Sequence, residues 1–413
     1  MMVNEQFEEY LDKYAKMAVE VGVNVQKGQP LWISASLGTE VLVRRIVKYA
    51  YMAGAKSVQV QWYDEEVLKT HYEMAPNEAF TEYPSWLVAA HQWVVENDAA
   101  FLQVEAENPD LLSGIDPERI VSYEKAQGVA LESFYEAIDN DHISWSIIAM
   151  PSQKWADKVF THLIPEKRMQ ALWTEIFKAV RLDKMDPTAE WRSHMKRLSN
   201  RAQQLNDLNL KSLHFKSKGT DLVIELPDGH KWLTGGSQTP AGTEFIANMP
   251  TEEVYTVPLK TGVNGVVSST KPLAYKGKVI KDFTLTFIEG KITDFTAQEG
   301  QEILGKLIRT DEGAAYLGEV ALVPHRSPIS DSGILFYNTL FDENASCHLA
   351  IGSAYPTCIQ NGTEMDDFEK EEVGLNESVV HEDFMIGSGD MCISGFCKDG
   401  RKVTIMENGD WGF

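Results

Sequence analysis

The sequence predicts an α/β N-terminal domain with a mostly parallel sheet, followed by an α+β C-terminal domain built on a large, mainly antiparallel sheet. Three observations predict this arrangement. A chain of 413 residues exceeds what one hydrophobic core usually serves. Strand-like and helix-like segments alternate in the first half, and strands with Gly- and Asp/Asn-rich turns dominate the second half. We therefore assign residues 1–185 to the first domain and residues 186–413 to the second.

The first half opens with apolar residues at helical spacing within residues 4–24, followed by a buried strand in "QPLWISAS". The next helix, "EVLVRRIVKYAYMAGA", is expected to end at Gly54, since glycine readily adopts the left-handed conformation of a helix C-cap. Further strands are predicted in "KSVQVQWYD", "DAAFLQVEAENP" and "ISWSIIAMPS", and a helix in "DPERIVSYEKAQGVALESFYEAI". Strands separated by helices indicate a parallel sheet covered on both faces.

The second half begins after a helical segment around residues 187–209, which marks the predicted domain junction. Strands are then predicted in "SLHFKSKGTDLVIELPDG", "VYTVPLKTGVNGVVSST", "VIKDFTLTFIEGKITDFTAQEG" and "RKVTIMENGDWGF". The segment "FIEGKI" is typical of a hairpin, and "GQEILGKLIRTDEGAAY" is typical of a helix. Short strands joined by tight turns indicate a mainly antiparallel sheet.

Charge and composition exclude several classes of protein. The net charge is 38 − 61 = −23, which repels phosphate backbones and anionic lipid, so we expect neither a nucleic-acid nor a membrane partner. Four cysteines without C-x2-C spacing, and the lack of a signal peptide, predict a cytoplasmic protein with reduced thiols. No G-x-G-x-x-G motif follows the first strand and no P-loop is present, so no dinucleotide or nucleotide cofactor is predicted.

Several polar residues of the second half lie in apolar segments. In "SVVHEDFMIGSGD", a strand would place His381 and Asp383 on one face. In "YLGEVALVPH", Glu319 would be costly to bury unless it is paired or binds a metal ion. In "NMPTEEVYTVP", only one of Glu252 and Glu253 could face inward on a strand. Each of these patterns alone also fits a half-exposed strand or a solvated edge. Most of the other histidines of the chain are expected on the surface or in the core.

The combined residues indicate a metal site more strongly than any one of them. Glutamate, aspartate and histidine without thiolate suit zinc, cobalt, manganese and similar divalent ions. Two glutamates, one aspartate and two histidines are one ligand too many for a tetrahedral zinc with an open position. They suit a pair of ions roughly 3.5–4 Å apart, bridged by a carboxylate. The residues are far apart in sequence, so no local signature of the H-E-x-x-H kind supports this interpretation.

Four segments occur in this order along the chain: "ANMPTEEVYTVP", "LGEVALVP", "FYNTLFDENASCHLAIGSAYP" and "VHEDFMIGS". Together they resemble the aminopeptidase T / aminopeptidase S family, the thermophilic-metalloprotease-like metallo-aminopeptidases of broad specificity, and the resemblance extends over essentially the whole chain. It implies a homodimer, two divalent ions per chain (zinc, cobalt, manganese or magnesium) and peptide substrates with a free N-terminus. It also implies that the second domain carries the metal.

The resemblance assigns roles residue by residue. It implies that Tyr355 supplies an active-site hydroxyl. It implies that the metal ligands are Glu253, Glu319, His348, His381 and Asp383. The implied mechanism is attack of an ion-activated water on the first peptide bond, with the hydroxyl helping to stabilise the oxyanion. Glu319 is the candidate general base if it is only partly committed to metal, with Glu343 in reserve.

The segment "FDENASCHLAIGSAYP" at residues 341–356 leaves one geometric question open. A helix would align His348 and Tyr355, whereas a regular strand would oppose them unless Gly352 introduces a bulge. Cys347 is expected to point away from the histidine face of a strand, and residues 342–344 to shape the turn before it.

Three other functions are compatible with these residues. A dinuclear hydrolase of another bond, such as a phosphoester or a different amide, would use the same ligand types. A small-molecule binding protein would carry the acidic residues for structural reasons and would show weak metal content. A scaffold protein would expose a large apolar patch.

Overall fold

The computed structural model describes residues 5–106, 108–275 and 277–413. The chain divides into two compact units. One unit comprises the described residues up to Ser193 together with Gly236–Pro250, and the other comprises His194–Gly235 and Thr251–Phe413. The first unit therefore contains a segment that follows the first strands of the second unit in the sequence.

Helices predominate in the first half of the chain and strands in the second half. The α-helices are α1 (Glu5–Met17), α2 (Glu40–Ala53), α3 (Glu65–Met74), α4 (Ser85–Glu96), α5 (Pro117–Ala130), α6 (Glu132–Asp139), α7 (Gln153–Val159), α8 (Pro165–Ala179), α9 (Pro187–Asp207), α10 (Gln301–Leu307), α11 (Pro328–Ser332), α12 (Thr339–Asp342) and α13 (Asp367–Glu372). The strands are β1 (Pro30–Ser36), β2 (Ser57–Tyr63), β3 (Ala100–Glu105), β4 (Trp145–Ala149), β5 (Leu210–Ser217), β6 (Thr220–Glu225), β7 (Leu233–Thr234), β8 (Gly236–Gln238), β9 (Glu244–Ile246), β10 (Asn248–Met249), β11 (Val254–Thr256), β12 (Val263–Ser268), β13 (Leu273–Tyr275), β14 (Lys278–Ile288), β15 (Lys291–Glu299), β16 (Leu317–Leu322), β17 (His348–Gly352), β18 (His381–Met385), β19 (Cys392–Cys397), β20 (Lys402–Glu407) and β21 (Asp410–Trp411).

The first unit is built on a parallel sheet of strand order β10-β4-β3-β1-β2. The prediction of a parallel sheet from alternating strands and helices is confirmed. Helix α2 ends as predicted at Gly54, whose φ of 99° is left-handed. The phenol of Tyr14 on α1 is fully buried; it donates to the carbonyl oxygen of Ala149 at 2.9 Å and accepts from its N–H at 3.2 Å. These bonds satisfy the buried hydroxyl and fix α1 at the end of β4.

The second unit contains two antiparallel sheets. One has nine strands, in the order β13-β14-β12-β6-β5-β19-β20-β21, with β15 paired to β14. The other has five strands, in the order β18-β17-β16-β11-β7. The two sheets share one hydrophobic core, in which the rings of Phe283 and Phe384 lie 5.5 Å apart. The predicted fold class is confirmed, although the sequence did not indicate the separate five-stranded sheet.

The predicted hairpin in "FIEGKI" is also confirmed. Strands β14 and β15 pair as antiparallel neighbours, and Glu289 and Gly290 turn between them with φ of 49° and 83°. Two successive positive φ angles are typical of the tight turns that match the twist of a hairpin. No helix in the described part of the chain is long and apolar enough to span a bilayer.

Candidate metal centre

The candidate site lies on one face of the five-stranded sheet, where β16, β17 and β18 are neighbours. In the register of these strands, Ala350 on β17 lies opposite Glu319 on one side and Asp383 on the other. Gly352 lies opposite His381. His348, Ala350 and Gly352 alternate along β17 and so share this face. The sheet register therefore brings charged residues from three strands to one surface.

Small residues on β17 leave room for these charged side chains. Ala350 lies between the two residues that carry the carboxylates, Glu319 and Asp383. Gly352 lies beside His381 of β18. The residues that alternate with these along the same strands, such as Val320, Leu349 and Phe384, point to the opposite face and are fully buried in the core. A shift of one residue in register would exchange the two faces, so core packing fixes the position of the site.

Glu319 is the central residue of the cluster. Its Oε1 lies 3.7 Å from Nε2 of His348, and its Oε2 lies 3.2 Å from Nε2 of His381. Glu253, immediately before β11, places Oε2 at 3.1 Å from the same His348 nitrogen. Asp383 places Oδ1 at 3.6 Å from Nε2 of His381. The structure thus brings together all five residues for which a ligand role was predicted.

These residues form two groups whose ligand atoms lie within 4.8 Å of one another. One group is Glu253, Glu319 and His348, and the other is Glu319, His381 and Asp383. Glu319 belongs to both, with one oxygen directed to each histidine. That is the arrangement expected of a carboxylate bridging two ions.

Each histidine is oriented by a backbone carbonyl. Nδ1 of His348 donates to the carbonyl oxygen of Ser346 at 3.2 Å, and Nδ1 of His381 donates to that of Ser353 at 2.7 Å. Because a carbonyl only accepts, Nδ1 carries the proton, and Nε2 faces the carboxylates. Metal-binding histidines are commonly held in this way, with the other ring nitrogen bound to an oxygen.

The electrostatics of the cluster follow from its burial. Glu319 is only 4% exposed and His348 only 1% exposed. Burial opposes ionisation of Glu319, but bonds to the two histidines outweigh it and lower its pKa to about 2. Burial also disfavours the charged histidines, but the carboxylates overcome it and raise the pKa values of His348 and His381 well above the usual value. The cluster strongly favours positive charge at its centre.

Asp383 shows that the residues fit a metal ion. It is 9% exposed, and its Oδ1 is buried without a hydrogen-bond partner. A buried acceptor with no donor is costly unless a cation compensates it. Three carboxylates and two imidazoles are the nitrogen and oxygen ligands that suit borderline and hard divalent ions.

The conformation of Gly352 explains how His348 and Tyr355, both within residues 341–356, face the same site. Residues 348–352 are a strand, and Gly352 has a φ of 108°, which is unfavourable for other residues. The chain leaves strand geometry here, and the ring of Tyr355 lies 4.7 Å from that of His381. Tyr355 also packs edge-on against Tyr255, with ring centroids 6.0 Å apart. The glycine therefore allows His348 and Tyr355 to reach the same site from a strand.

The residues before β17 have separate roles. The Cys347 thiol lies in the hydrophobic core and bonds to the backbone of Val323, as expected for a residue on the opposite face. Asp342 accepts backbone N–H groups of Phe336 at 2.7 Å and Asn338 at 3.1 Å, so it shapes this loop as predicted. Burial, and then the charges of neighbouring carboxylates, raise the pKa of Glu343 well above the usual value.

Glu252 and Glu253 differ from the expectation for a strand. Both precede β11 and both are buried, at 4% and 7% exposed. Glu252 faces His194, whose Nε2 is 3.5 Å from its Oε2, while Glu253 faces the metal cluster. The solvated-edge alternative is therefore wrong. Asn344, expected from the sequence to shape the turn before β17, is fully buried, and its Oδ1 accepts the backbone N–H of Glu252 at 2.7 Å, a contact that the sequence did not indicate.

The chain is similar to known proteins over almost its whole length. The model of the thermophilic metalloprotease (M29) family matches residues 7–411. Aminopeptidase AmpS of Bacillus subtilis is 52% identical over 409 residues, which cover 99% of this chain and 100% of that protein. Aminopeptidase 2 of Geobacillus stearothermophilus is 48% identical over 407 residues, or 98% of each chain. The structure of wild-type AmpT from Thermus thermophilus matches with a TM-score of 0.92 and 37% identity, covering 98% of this chain and 100% of that one.

These similarities confirm the resemblance drawn from four sequence segments. They also confirm the prediction of an enzyme, a metal-dependent hydrolase of the peptidase class. The chain belongs to the thermophilic metalloprotease (M29) family.

Proposed function

We propose that this protein is a metallo-aminopeptidase that removes N-terminal residues from peptides by means of two divalent ions. The observation that carries the proposal is the position of Glu319, whose two oxygens face two different histidines in two adjoining ligand groups. The relatives from Bacillus subtilis and Geobacillus stearothermophilus are both aminopeptidases by name. We propose that zinc, cobalt, manganese or magnesium fills the site.

The residues that would hold the ions are those of the two groups. Glu253, Glu319 and His348 would hold one ion, and Glu319, His381 and Asp383 would hold the other. When bound, such ions act as Lewis acids that polarise a peptide carbonyl and lower the pKa of a water molecule. With both of its oxygens facing histidines, Glu319 is better placed as a ligand than as the general base suggested by the sequence.

Tyr355 is the proposed hydrogen-bond donor to the carbonyl oxygen of the substrate. The residue is 38% exposed; desolvation by burial, and then the charges of Glu319 and Asp383, raise the pKa of its phenol well above the usual value. The phenol therefore keeps its proton at neutral pH. A protonated phenol can donate to a developing oxyanion.

Tyr355→Phe is expected to lower kcat by about 10²-fold, because removing one donor to an oxyanion has an effect of this order. KM should change little, since the bond strengthens mainly as charge develops. Steady-state kinetics with alanine p-nitroanilide measure both constants. Tyr51→Phe, which alters an exposed tyrosine of α2, is the control. An unchanged kcat in Tyr355→Phe would remove Tyr355 from the reaction.

The function is tested by hydrolysis of alanine p-nitroanilide and of a panel of phosphoesters, each with and without excess chelator. We expect hydrolysis of the amide only, abolished by chelator and restored by divalent ions. Amide hydrolysis that persists in chelator, or turnover of phosphoesters alone, would contradict the proposal. A homodimer and a cytoplasmic location stay predictions from the sequence; light scattering of the purified protein measures the first.

A further inference from the structure

The turn that follows β17 is held by a buried asparagine. Asn376 is only 1% exposed and lies between α13 and β18. Its Nδ2 donates to the carbonyl oxygen of Gly352 at 2.6 Å and to that of Gly313 at 2.8 Å. Its own backbone carbonyl oxygen accepts the N–H of Ala354 at 2.9 Å. One residue therefore bonds to both ends of the turn formed by residues 352–354.

These bonds act where the chain leaves the strand. Gly352 is the last residue of β17, and its positive φ lets the chain turn towards Tyr355. Ser353, the next residue, donates its N–H to the carbonyl oxygen of Val380 at 2.7 Å. Residues 376–380 thus bond to every residue of the turn, and Tyr355 follows this turn directly.

The side chain of Asn376 serves only as a donor. Its amide nitrogen bonds to two carbonyl oxygens, whereas its Oδ1 is buried and has no hydrogen-bond partner among the described residues. A buried acceptor without a donor is costly. An apolar side chain would avoid this cost, but it would leave the two carbonyl oxygens without the bonds that Asn376 donates. The two donated bonds therefore account for an asparagine at this position.

We infer that Asn376 is a positioning residue that fixes the hydroxyl of Tyr355 for the reaction. The inference rests on the proposed function, in which this hydroxyl donates to the carbonyl oxygen of the substrate. The rings of His381 and Tyr255 limit the tilt of the phenol, with centroids 4.7 Å and 6.0 Å away. The backbone of the turn sets how far the phenol reaches. An oxyanion donor works only at hydrogen-bond distance, so a displacement of about 1 Å matters.

The test is a double-mutant cycle of Asn376→Ala and Tyr355→Phe, measured with alanine p-nitroanilide. Asn376→Ala alone should lower kcat by roughly 10-fold to 10²-fold with little change in KM, because a misplaced donor costs no more than an absent one. In the Tyr355→Phe background the same substitution should lower kcat little further, since no hydroxyl is left to position. The metal content of all three variants should equal that of the wild-type protein.

Asn206→Ala is the matched control. The side chain of Asn206, on α9, also makes two bonds to the backbone, to the N–H and the carbonyl oxygen of Trp232. Its removal should lower the temperature of thermal unfolding, as Asn376→Ala does, but should leave kcat at the wild-type value. The control therefore separates a loss of stability from a loss of positioning.

Three results would overturn the inference. They are a wild-type kcat in Asn376→Ala, an equal loss of kcat with and without the Tyr355 hydroxyl, and a loss of metal in Asn376→Ala. The last would mean that Asn376 acts through His381, whose Nδ1 bonds to the carbonyl oxygen of Ser353. If Asn376→Ala does not fold, Asn376→Ser keeps one donor on a shorter side chain. That variant should show a smaller loss of kcat, which again disappears in the Tyr355→Phe background.

Failure of the proposed function is a separate outcome. A wild-type protein that does not hydrolyse alanine p-nitroanilide, or an unchanged kcat in Tyr355→Phe, is detected without any Asn376 variant.

Discussion

Glu319→Gln is expected to lower kcat/KM for alanine p-nitroanilide by at least about 10⁴-fold, a loss typical of removing a central catalytic group. The residue is shared by both ligand groups, so one substitution weakens both proposed ion sites. The neutral amide keeps the size of the side chain but removes the charge that faces the two histidines. Elemental analysis should show the variant retaining well under one ion per chain after dialysis.

The neighbouring ligands provide matched comparisons. Glu253→Gln and Asp383→Asn each alter only one group, so each variant should retain about one ion per chain. Glu302→Gln makes the same chemical change as Glu319→Gln at an exposed position and should retain full activity. If Glu319→Gln bound as much metal as the wild type, or if either single-group variant lost all of it, Glu319 would not be a shared ligand.

Gly318→Ala is expected to lower activity by about 10²-fold without altering any polar group. A Cβ atom at this position would lie 2.1 Å from the carbonyl oxygen of Ser353 and 2.4 Å from that of Gly352. Backbone atoms cannot yield as a flexible side chain would, so β16 and β17 must separate. Glu319 would move with β16, and displacements of about 1 Å can cost this much activity. Overpacking of this kind should also lower stability by about 2–3 kcal/mol.

Gly128→Ala is the control for the same substitution. Gly128 lies within α5, and a Cβ there would meet nothing within 4 Å. Alanine is the better helix former by about 1 kcal/mol, so this variant should be as stable as the wild type or more so. Thermal unfolding and kcat/KM are measured for both variants. A Gly318→Ala protein with wild-type stability and activity would contradict the close approach of these strands.

Much of the fold was predictable because many of its elements depend on local sequence patterns. The C-cap at Gly54 and the hairpin at Glu289 and Gly290 each depend on residues adjacent in sequence. Strand β10 was not predictable, because two residues that pair with β4 from about a hundred positions away carry no periodic signal. The helical segment after Asp116 is two helices, α5 and α6, separated at Leu131, which hydrophobic spacing alone did not reveal.

The site residues were named from resemblance, but the structure supplies the physical reason for their positions. In "HLAIG", histidine, alanine and glycine alternate with leucine and isoleucine, which separates a roomy face from a packed one. That alternation was a local signal for β17. The pairing between strands had no local signal, because nothing in the neighbouring sequence shows that Ala350 would lie between Glu319 and Asp383. The approach of Glu252 to His194 likewise depends on a tertiary contact.

The central claim is that two ions share Glu319, and anomalous diffraction from crystals of the cobalt-loaded protein tests it most directly. We expect two anomalous peaks per chain, roughly 3.5–4 Å apart, one on each side of the Glu319 carboxylate. One peak should adjoin Glu253 and His348, and the other His381 and Asp383. A single peak, or two peaks that do not share Glu319, would contradict this account.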